Sequence, residues 1–313
     1  MTASRSTLGR RGALGLLGLA PVAALAACSD SDPLAKESGS GGSDAGGATG
    51  ALVVGSQAYY SNEIIAELFA QALEGTGASV ERQYQIGQRE VYLPELEAGK
   101  IDVMPEYAGN LLQYYDKEAA TASPEEIAQA LSESLPEDLR ALPFAEATDQ
   151  DSYNVTGDFA SQNSLTSLTD LAPLKDLKVA ANSEFETRPY GPEGLKKIYG
   201  ADVALVPVED SGGPLTVKAL TDGTVQLADI YSADPAIAAN GLVTLEDPKS
   251  MILPQSVTPI VSKRIDDAAA AAIKKVTDAL TTDELIGLNR QSVEEQKKSS
   301  EIAKAWLAAQ GIA

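Results

Sequence analysis

Short apolar runs alternate with amphipathic segments along most of the chain. Residues 51–55 are apolar until Gly55, which predicts a buried strand. Ile64, Ile65 and Leu68 then follow at helical spacing, and Gly75 predicts where this helix ends.

The same two patterns recur up to the C-terminus. Apolar runs predict five further strands, at 80–83, 101–104, 178–181, 204–208 and 227–231. Helical spacing and end signals predict seven further helices, at 90–97, 124–135, 192–200, 215–221, 266–280, 283–289 and 292–310. Ser123 with Glu126, and Ser292 with Glu295, have the spacing of a capping box at a helix start.

Strands that alternate with helices predict an α/β fold with mainly parallel sheets flanked by helices. Residues 51–313 are enough for two lobes of medium size. Ligands of such sheets bind beyond the carboxyl ends of the strands, so binding residues are expected directly after strands.

The first 27 residues have the pattern of an export signal. Arg5, Arg10 and Arg11 precede an apolar stretch over 13–25 that leads into Cys28. As a helix this stretch reaches about 20 Å, which is too short for the hydrocarbon core of a bilayer, about 30 Å thick. We expect a lipoprotein signal peptide over 1–27 and lipid on the sulfur of Cys28, with either general or twin-arginine export.

Residues 28–50 are rich in glycine and serine, which predicts a tether that holds the folded part at the extracytoplasmic face of the cell membrane. Cys28 is the one cysteine, so no disulfide is expected. The net charge is −21, and removal of the three arginines of the signal makes it −24. Such a surface repels nucleic acid and anionic lipid.

The chain has no histidine, which excludes Ser-His-Asp and Cys-His nucleophile systems and most zinc sites. The segment 210–214 is similar to the nucleophile segment of trypsin-like proteases, but no histidine could accept the serine proton. We interpret it as a glycine-rich turn in which Ser211 faces a ligand. The sequence therefore predicts neither an enzyme nor a metal or cofactor site, although carboxylate-based hydrolysis is an alternative.

Tyrosine is the aromatic residue that stands out, with eleven tyrosines against four phenylalanines and one tryptophan. Several follow strands or lie at their ends: Tyr59, Tyr60, Tyr107, Tyr153 and Tyr231. Converging tyrosine rings attract a cation that has no hydrogen to donate, such as a quaternary ammonium group.

Arg188 lies between a predicted strand and Pro189, which holds the arginine in extended backbone. A guanidinium binds a carboxylate through two parallel hydrogen bonds. A zwitterion with a cationic head and a carboxylate would satisfy both the tyrosines and Arg188.

Several segments together carry a resemblance to a known family: 54–56, 99–109, 186–189, 194–200 and 210–213. In these segments the chain resembles the glycine betaine, choline and osmoprotectant substrate-binding proteins of ABC importers. The resemblance implies a two-lobed, type II periplasmic-binding-protein fold that closes over its ligand, with lobe 1 at 51–150 plus 255–313 and lobe 2 at 151–254. It also implies that the partners are a membrane permease and its ATPase.

By the same resemblance, Tyr107, Tyr153 and Tyr231 correspond to cage tyrosines, Arg188 to the carboxylate-binding arginine and Gln57 to a residue that assists it. The chain departs from the family pattern at Asn110, where threonine is usual, and at Gln255, where a fourth cage tyrosine is usual. We expect an open cage wall, rebuilt by residues from a set of four tyrosines: Tyr59, Tyr60, Tyr92 and Tyr190. The alternatives are a bulkier betaine, another carboxylated amino-acid-like solute, or a ligand sensor without a transport role.

Overall fold

The computed structural model describes residues 50–119 and 123–312. The predicted signal peptide, Cys28 and nearly all of the tether lie outside the described residues, as does the C-terminal residue. Within the described ranges, no helix has the length and apolar character needed to cross a membrane.

The described ranges form ten strands and eleven α-helices. In chain order, strands β1 to β10 are Leu52–Gly55, Val80–Gln83, Val103–Tyr107, Leu139–Ala141, Tyr153–Thr156, Leu177–Ala181, Val203–Pro207, Leu227–Asp229, Leu242–Thr244 and Val257–Ser262. Helices α1 to α11 are Tyr60–Glu74, Arg89–Glu97, Ala108–Tyr115, Pro124–Ser134, Gly157–Asn163, Pro192–Tyr199, Pro214–Thr221, Ala236–Ala239, Asp267–Ala279, Thr282–Val293 and Ser299–Gln310. Two short 3-10 helices lie at Leu168–Leu171 and Ser183–Thr187.

The strands of the described ranges build two five-stranded sheets, one in each lobe of the fold. The first has the order β2-β1-β3-β10-β4 and the second has the order β7-β6-β8-β5-β9. In each sheet four strands run in one direction, and the fifth, β10 or β5, runs against its two neighbours. The predicted α/β fold is confirmed, and the two reversed strands are the exception to the parallel arrangement.

The two reversed strands follow the segments that connect the sheets. Residues 142–152 lead from β4 into β5, and residues 245–256 lead from β9 back into β10. The two segments run side by side, because Thr148 bridges to Ser256 and the Val257 N–H donates to the Ala147 carbonyl at 2.9 Å. The chain thus passes between the lobes on a narrow pair of strand-like connections.

Helices cover both faces of each sheet, so apolar cores lie on both faces as well. Helix α1 packs between the first sheet and the C-terminal helices α9, α10 and α11. Its apolar residues Ile64, Ile65, Leu68 and Phe69 are completely buried. The C-terminal helices therefore belong structurally with the first sheet, whereas the lobe boundaries at 150/151 and 254/255 stay a prediction.

Asp102 ties the strands of the first sheet together at the amino ends of β1 and β3, away from the loops that follow their carboxyl ends. Its carboxylate is completely buried and accepts hydrogen bonds from the Val53 N–H at 2.8 Å and the Ser262 hydroxyl at 2.7 Å. Arg264 adds an ion pair at 2.7 Å. These hydrogen bonds and the ion pair hold β1, β3 and β10 in register.

Most predicted elements are confirmed to within a few residues, including the capping box of Ser123 and Glu126 at the start of α4. The predicted strand at 101–104 is displaced and continues through Pro105 to Tyr107. Pro105 lies opposite Pro259 of β10. Neither proline has a backbone N–H, so this pair leaves no donor without a partner. The proline therefore does not end the strand.

The predicted start of the helix at 292–310 is wrong. Ser292 lies inside α10, and the last helix begins only at Ser299 with Lys298 as its N-cap. Gln296, between the two helices, has a left-handed backbone with φ of 54° that turns the chain. The capping-box spacing of Ser292 is not used, because α10 continues through Ser292 to Val293. Sequence patterns also missed β4, β5, β9, α3, α5 and α8, which are short or begin directly at the end of another element, and the longer strand β10.

Helix α6 approaches the preceding loop closely at a glycine. A Cβ added at Gly194 would lie 1.8 Å from the carbonyl oxygen of Pro189, which is backbone and cannot rotate away. Gly194 thereby fixes α6 against the loop that carries Arg188.

We predict that Gly194→Ala lowers the free energy of unfolding by about 1–3 kcal/mol, because the added methyl group overpacks this contact. Gly287→Ala is the matched control: Gly287 lies inside α10 and has no other atom within 4 Å of the added Cβ. It should raise the free energy of unfolding by about 0.5–1 kcal/mol, as alanine favours helix. Urea denaturation of the two variants measures both changes, and equal stabilities would contradict the close approach.

Candidate functional site

A cleft that is partly open to solvent lies between the two sheets. Its walls come from segments that follow strands: Gln57 after β1, Tyr107 at the end of β3, Asn182 after β6 and Tyr231 after β8. The connection at 142–152 contributes its last residues. Binding residues were expected at the carboxyl ends of strands, and the cleft is built from those positions.

Eight of the twelve predicted ligand-site residues line this cleft. They are Gln57, Tyr59, Tyr107, Asn110, Arg188, Tyr190, Ser211 and Tyr231. Four do not line it, namely Tyr60, Tyr92, Tyr153 and Gln255.

Two of the four residues outside the lining support residues that belong to it. The Tyr153 hydroxyl donates to the Tyr190 carbonyl at 2.8 Å, and its ring lies edge-on to Phe185. Gln255 is completely buried; its Nε2 donates to Asn110 Oδ1 at 2.7 Å, and its Oε1 accepts from the Asn110 N–H at 2.9 Å. Gln255 thus orients Asn110 rather than facing the cleft.

The other two residues outside the lining, Tyr60 and Tyr92, direct their hydroxyls to carboxylates. The Tyr60 hydroxyl donates to Asp234 at 2.7 Å, and the Tyr92 hydroxyl donates to Glu106. Burial and these carboxylates raise the pKa of both phenols, so the hydroxyls stay protonated and act as donors.

Aromatic rings from both lobes meet in the cleft. Tyr59 and Tyr231 are tilted against each other, with ring centroids 4.9 Å apart. Tyr107 is buried beside them, and burial raises the pKa of its hydroxyl. Phe185 and Tyr190 form a second aromatic pair with centroids 5.8 Å apart. Tyr59, Tyr107 and Tyr231 are distant from one another in sequence, and only the fold brings them together.

Both arginines of the cleft are already paired. Arg188 binds Glu90 of α2 through two hydrogen bonds of 2.9 and 3.2 Å, which connect the two lobes. Arg89 binds Glu106 in the same fork geometry, and the Glu106 side chain is completely buried. Since each guanidinium has its own carboxylate, neither adds net positive charge to the cleft.

Four further carboxyl groups line the cleft: Asp149, Asp151, Glu184 and Asp229. None of them forms an ion pair with a lysine or arginine of the described ranges. Asp149 accepts from the Ser61 hydroxyl at 2.8 Å and the Ala233 N–H at 3.0 Å, yet burial raises its pKa to about 7. Burial likewise raises the pKa of Glu184.

Asp151 and Asp229 lie next to each other in the cleft. Burial, the neighbouring Asp151 charge and a hydrogen bond between the two carboxyl groups raise the pKa of Asp229 well above its usual range. Asn110 Nδ2 donates to Asp151, and the Ser152 N–H donates to Asp229 at 3.1 Å. Two buried carboxyl groups therefore lie side by side in the lining of the cleft.

Gln57 is the polar side chain with an unused donor. It is 3% exposed, and its Nε2 has no hydrogen-bond partner among the described residues. Its backbone N–H donates to Asn62 Oδ1 at 2.8 Å, which fixes the start of the side chain. A buried N–H without an acceptor is costly, so this donor is ready for an oxygen of a ligand.

Ser211 lies in the predicted glycine-rich turn and has a left-handed backbone with φ of 53°. Asn182 supports this conformation by accepting from the Ser211 N–H at 2.9 Å and donating to its hydroxyl at 3.0 Å. Gln88 of the other lobe donates to the same hydroxyl at 3.2 Å. Ser211 therefore takes part in a polar contact between the lobes.

Sequence analysis missed the acidic residues of the site, together with Gln88, Arg89, Asn182 and Phe185. Asp149 and Asp151 precede the singled-out Tyr153, and Asp229 lies inside the predicted strand at 227–231. With 45 acidic residues in the chain, no pattern distinguishes these few from solvated surface groups. No group of three metal-ligating side chains occurs in the part of the chain that the structure describes.

Residues 50–309 match the family model described as the substrate binding domain of ABC-type glycine betaine transport systems. Among curated proteins, the glycine betaine-binding protein YehZ of Escherichia coli K12 is 26% identical over 225 residues, which are 68% of this chain and 74% of YehZ.

Solved structures share the fold. A glycine betaine/carnitine/choline ABC transporter structure matches with a TM-score of 0.67 at 23% identity, covering 83% of this chain and 99% of the other. Lactococcal OpuAC, closed and complexed with glycine betaine, matches with a TM-score of 0.61 at 17% identity, covering 83% of this chain and 96% of the other. The fold is thus the type II periplasmic-binding-protein fold, with two lobes around one cleft. The chain belongs to the family of substrate-binding domains of ABC-type glycine betaine transport systems.

Proposed function

We propose that this protein captures a quaternary-ammonium osmoprotectant outside the cytoplasm and delivers it to the permease and ATPase of an ABC importer. The ligand would be glycine betaine, choline or a related betaine. The observation that carries the proposal is the meeting of Tyr59, Tyr107 and Tyr231 in one cleft between the lobes. The ring faces attract a cation without hydrogen-bond donors, and each contact contributes about 0.5–2 kcal/mol.

The cage depends on closure of the lobes. Tyr59 and Tyr107 belong to the first sheet's side of the cleft, whereas Tyr231 follows β8 of the second sheet. We infer that the two connections at 142–152 and 245–256 act as the hinge between lobe 1, at 51–150 plus 255–313, and lobe 2, at 151–254. Opening at this hinge would separate the rings and release the ligand.

Tyr59 takes the place in the cage that sequence comparison assigned to Tyr153. The Tyr153 hydroxyl is already bonded to the Tyr190 carbonyl, and Gln255 is bonded to Asn110, so we assign both residues a positioning role. If the ligand is a betaine, Arg188 is the guanidinium placed to bind its carboxylate, which would replace Glu90.

We predict that Tyr107→Ala or Tyr231→Ala weakens binding of the quaternary-ammonium ligand by about 1–3 kcal/mol, or about 5- to 150-fold, because each removes a ring face. Calorimetric titration of residues 51–313 with glycine betaine and with choline measures the change. Tyr107→Phe keeps the ring and should retain most of the affinity. Tyr115→Ala, whose residue lies outside the cleft lining, is the remote control. Unchanged affinity in both alanine variants would rule out the cage.

We also propose that lipid on Cys28 holds the protein at the extracytoplasmic face of the cell membrane. We predict that Cys28→Ser moves the protein from the membrane fraction to the soluble fraction, since the serine oxygen cannot replace the lipidated sulfur. Fractionation of cells that express the full chain measures this, with Ser29→Ala as the control. A serine variant that stays with the membrane would contradict the anchor.

A further inference from the structure

We infer that the paired carboxyl groups of Asp151 and Asp229 make the cleft select a solute with net positive charge, and that Gln57 donates to an uncharged oxygen of that solute. The inference rests on the proposed function and chooses among its ligands: a quaternary ammonium alcohol such as choline fits, and a zwitterion that carries a carboxylate fits less well.

The balance of charge in the cleft supports this choice. The two arginines, Arg89 and Arg188, each form a two-pronged ion pair with a glutamate. The four carboxyl groups that remain in the lining have no cationic partner among the described residues. A carboxylate brought in by a zwitterion would meet further negative groups in a desolvated space, and Arg188 would first have to leave Glu90.

The pair itself is placed to meet the cation. Asp151 and Asp229 are both more than nine-tenths buried, and both line the same cleft as the three tyrosines. Asn110, which Gln255 holds in place, donates to Asp151, and the Ser152 N–H donates to Asp229. A cation enclosed by the rings would therefore lie in the field of this pair.

Gln57 supplies an independent observation that points to a ligand. Its buried Nε2 lacks an acceptor among the described residues, although the side chain lines the cleft. A hydroxyl oxygen satisfies this donor without bringing in a second charge. The site thus offers an aromatic cage and carboxylates for the cation and one amide donor for an oxygen.

Binding of a cation should also release a proton. The groups that face the pair from neighbouring segments are Glu184, Tyr153, Tyr190 and Tyr231, and Asp149 lies in the same lining. These groups add no positive charge, so in the empty cleft burial and the neighbouring carboxylate raise the pKa of Asp229 and favour its protonated form. A bound cation favours the ionised form and lowers that pKa again. The affinity for the cation should therefore rise as the pH rises towards the pKa of Asp229 in the empty protein.

The first test is calorimetric titration of the wild-type protein with choline and with glycine betaine, which share the trimethylammonium head. We expect choline to bind at least tenfold more tightly. We also expect its apparent enthalpy to differ between phosphate and Tris buffers of the same pH, as release of a proton requires. Tighter binding of glycine betaine would overturn the inference and leave the proposed function standing. If no quaternary-ammonium compound binds, the proposed function itself is wrong.

The second test uses Asp229→Asn, which keeps an oxygen to accept the Ser152 N–H. We expect choline to bind at least tenfold more weakly, glycine betaine to bind as well or better, and proton release to disappear. A merely structural effect would weaken the binding of choline and glycine betaine alike, and that result would overturn the inference. Asp222→Asn is the control, because it removes one negative charge from an exposed ion pair outside the cleft and should change neither affinity.

Discussion

The cleft of this protein holds more buried carboxyl groups than positive charges, and the rest of the site depends on how that imbalance is resolved. Removing a charge from water is costly unless it is paired, protonated or given several donors. Arg89 and Arg188 are paired with Glu106 and Glu90, so the other acids of the cleft have hydrogen bonds but no cation, and burial raises the pKa of Asp149 and Asp229. A cationic solute would supply the positive charge that the cleft lacks.

The architecture places this imbalance between two lobes. Arg188 reaches Glu90, Gln88 reaches Ser211, and Asn110 reaches Asp151, so polar contacts hold the closed arrangement together with the ring contact of Tyr59 and Tyr231. Polar contacts exchange readily with water, in contrast to the apolar cores on both faces of each sheet. Rigid lobes joined by weak polar contacts are suited to opening and closing about a pair of connecting segments.

Local sequence patterns predicted the elements wherever the cause of the structure is local. The capping box at Ser123 and the helix from Pro192 to the left-handed Gly200 depend on residues within one turn, and both are confirmed. The prediction failed where a distant partner decides. Strand β3 passes through Pro105 because Pro259 lies opposite, and the cap predicted at Ser292 is unused because α10 continues through it.

The sequence by itself determined the α/β alternation, the carboxyl ends of β1, β2, β6 and β7 to within one residue, the excess of acids and tyrosines, and the family resemblance. These follow from the periodicity and identity of residues that are close together in the chain. Only the tertiary structure decided that Tyr59 rather than Tyr153 lines the cleft, that Gln255 lies behind Asn110, and that Asp151 and Asp229 share one buried site. The direction of a side chain and the neighbours it meets depend on packing between segments far apart in sequence. The pKa of a carboxyl group depends on the same packing, because burial and neighbouring charge set it.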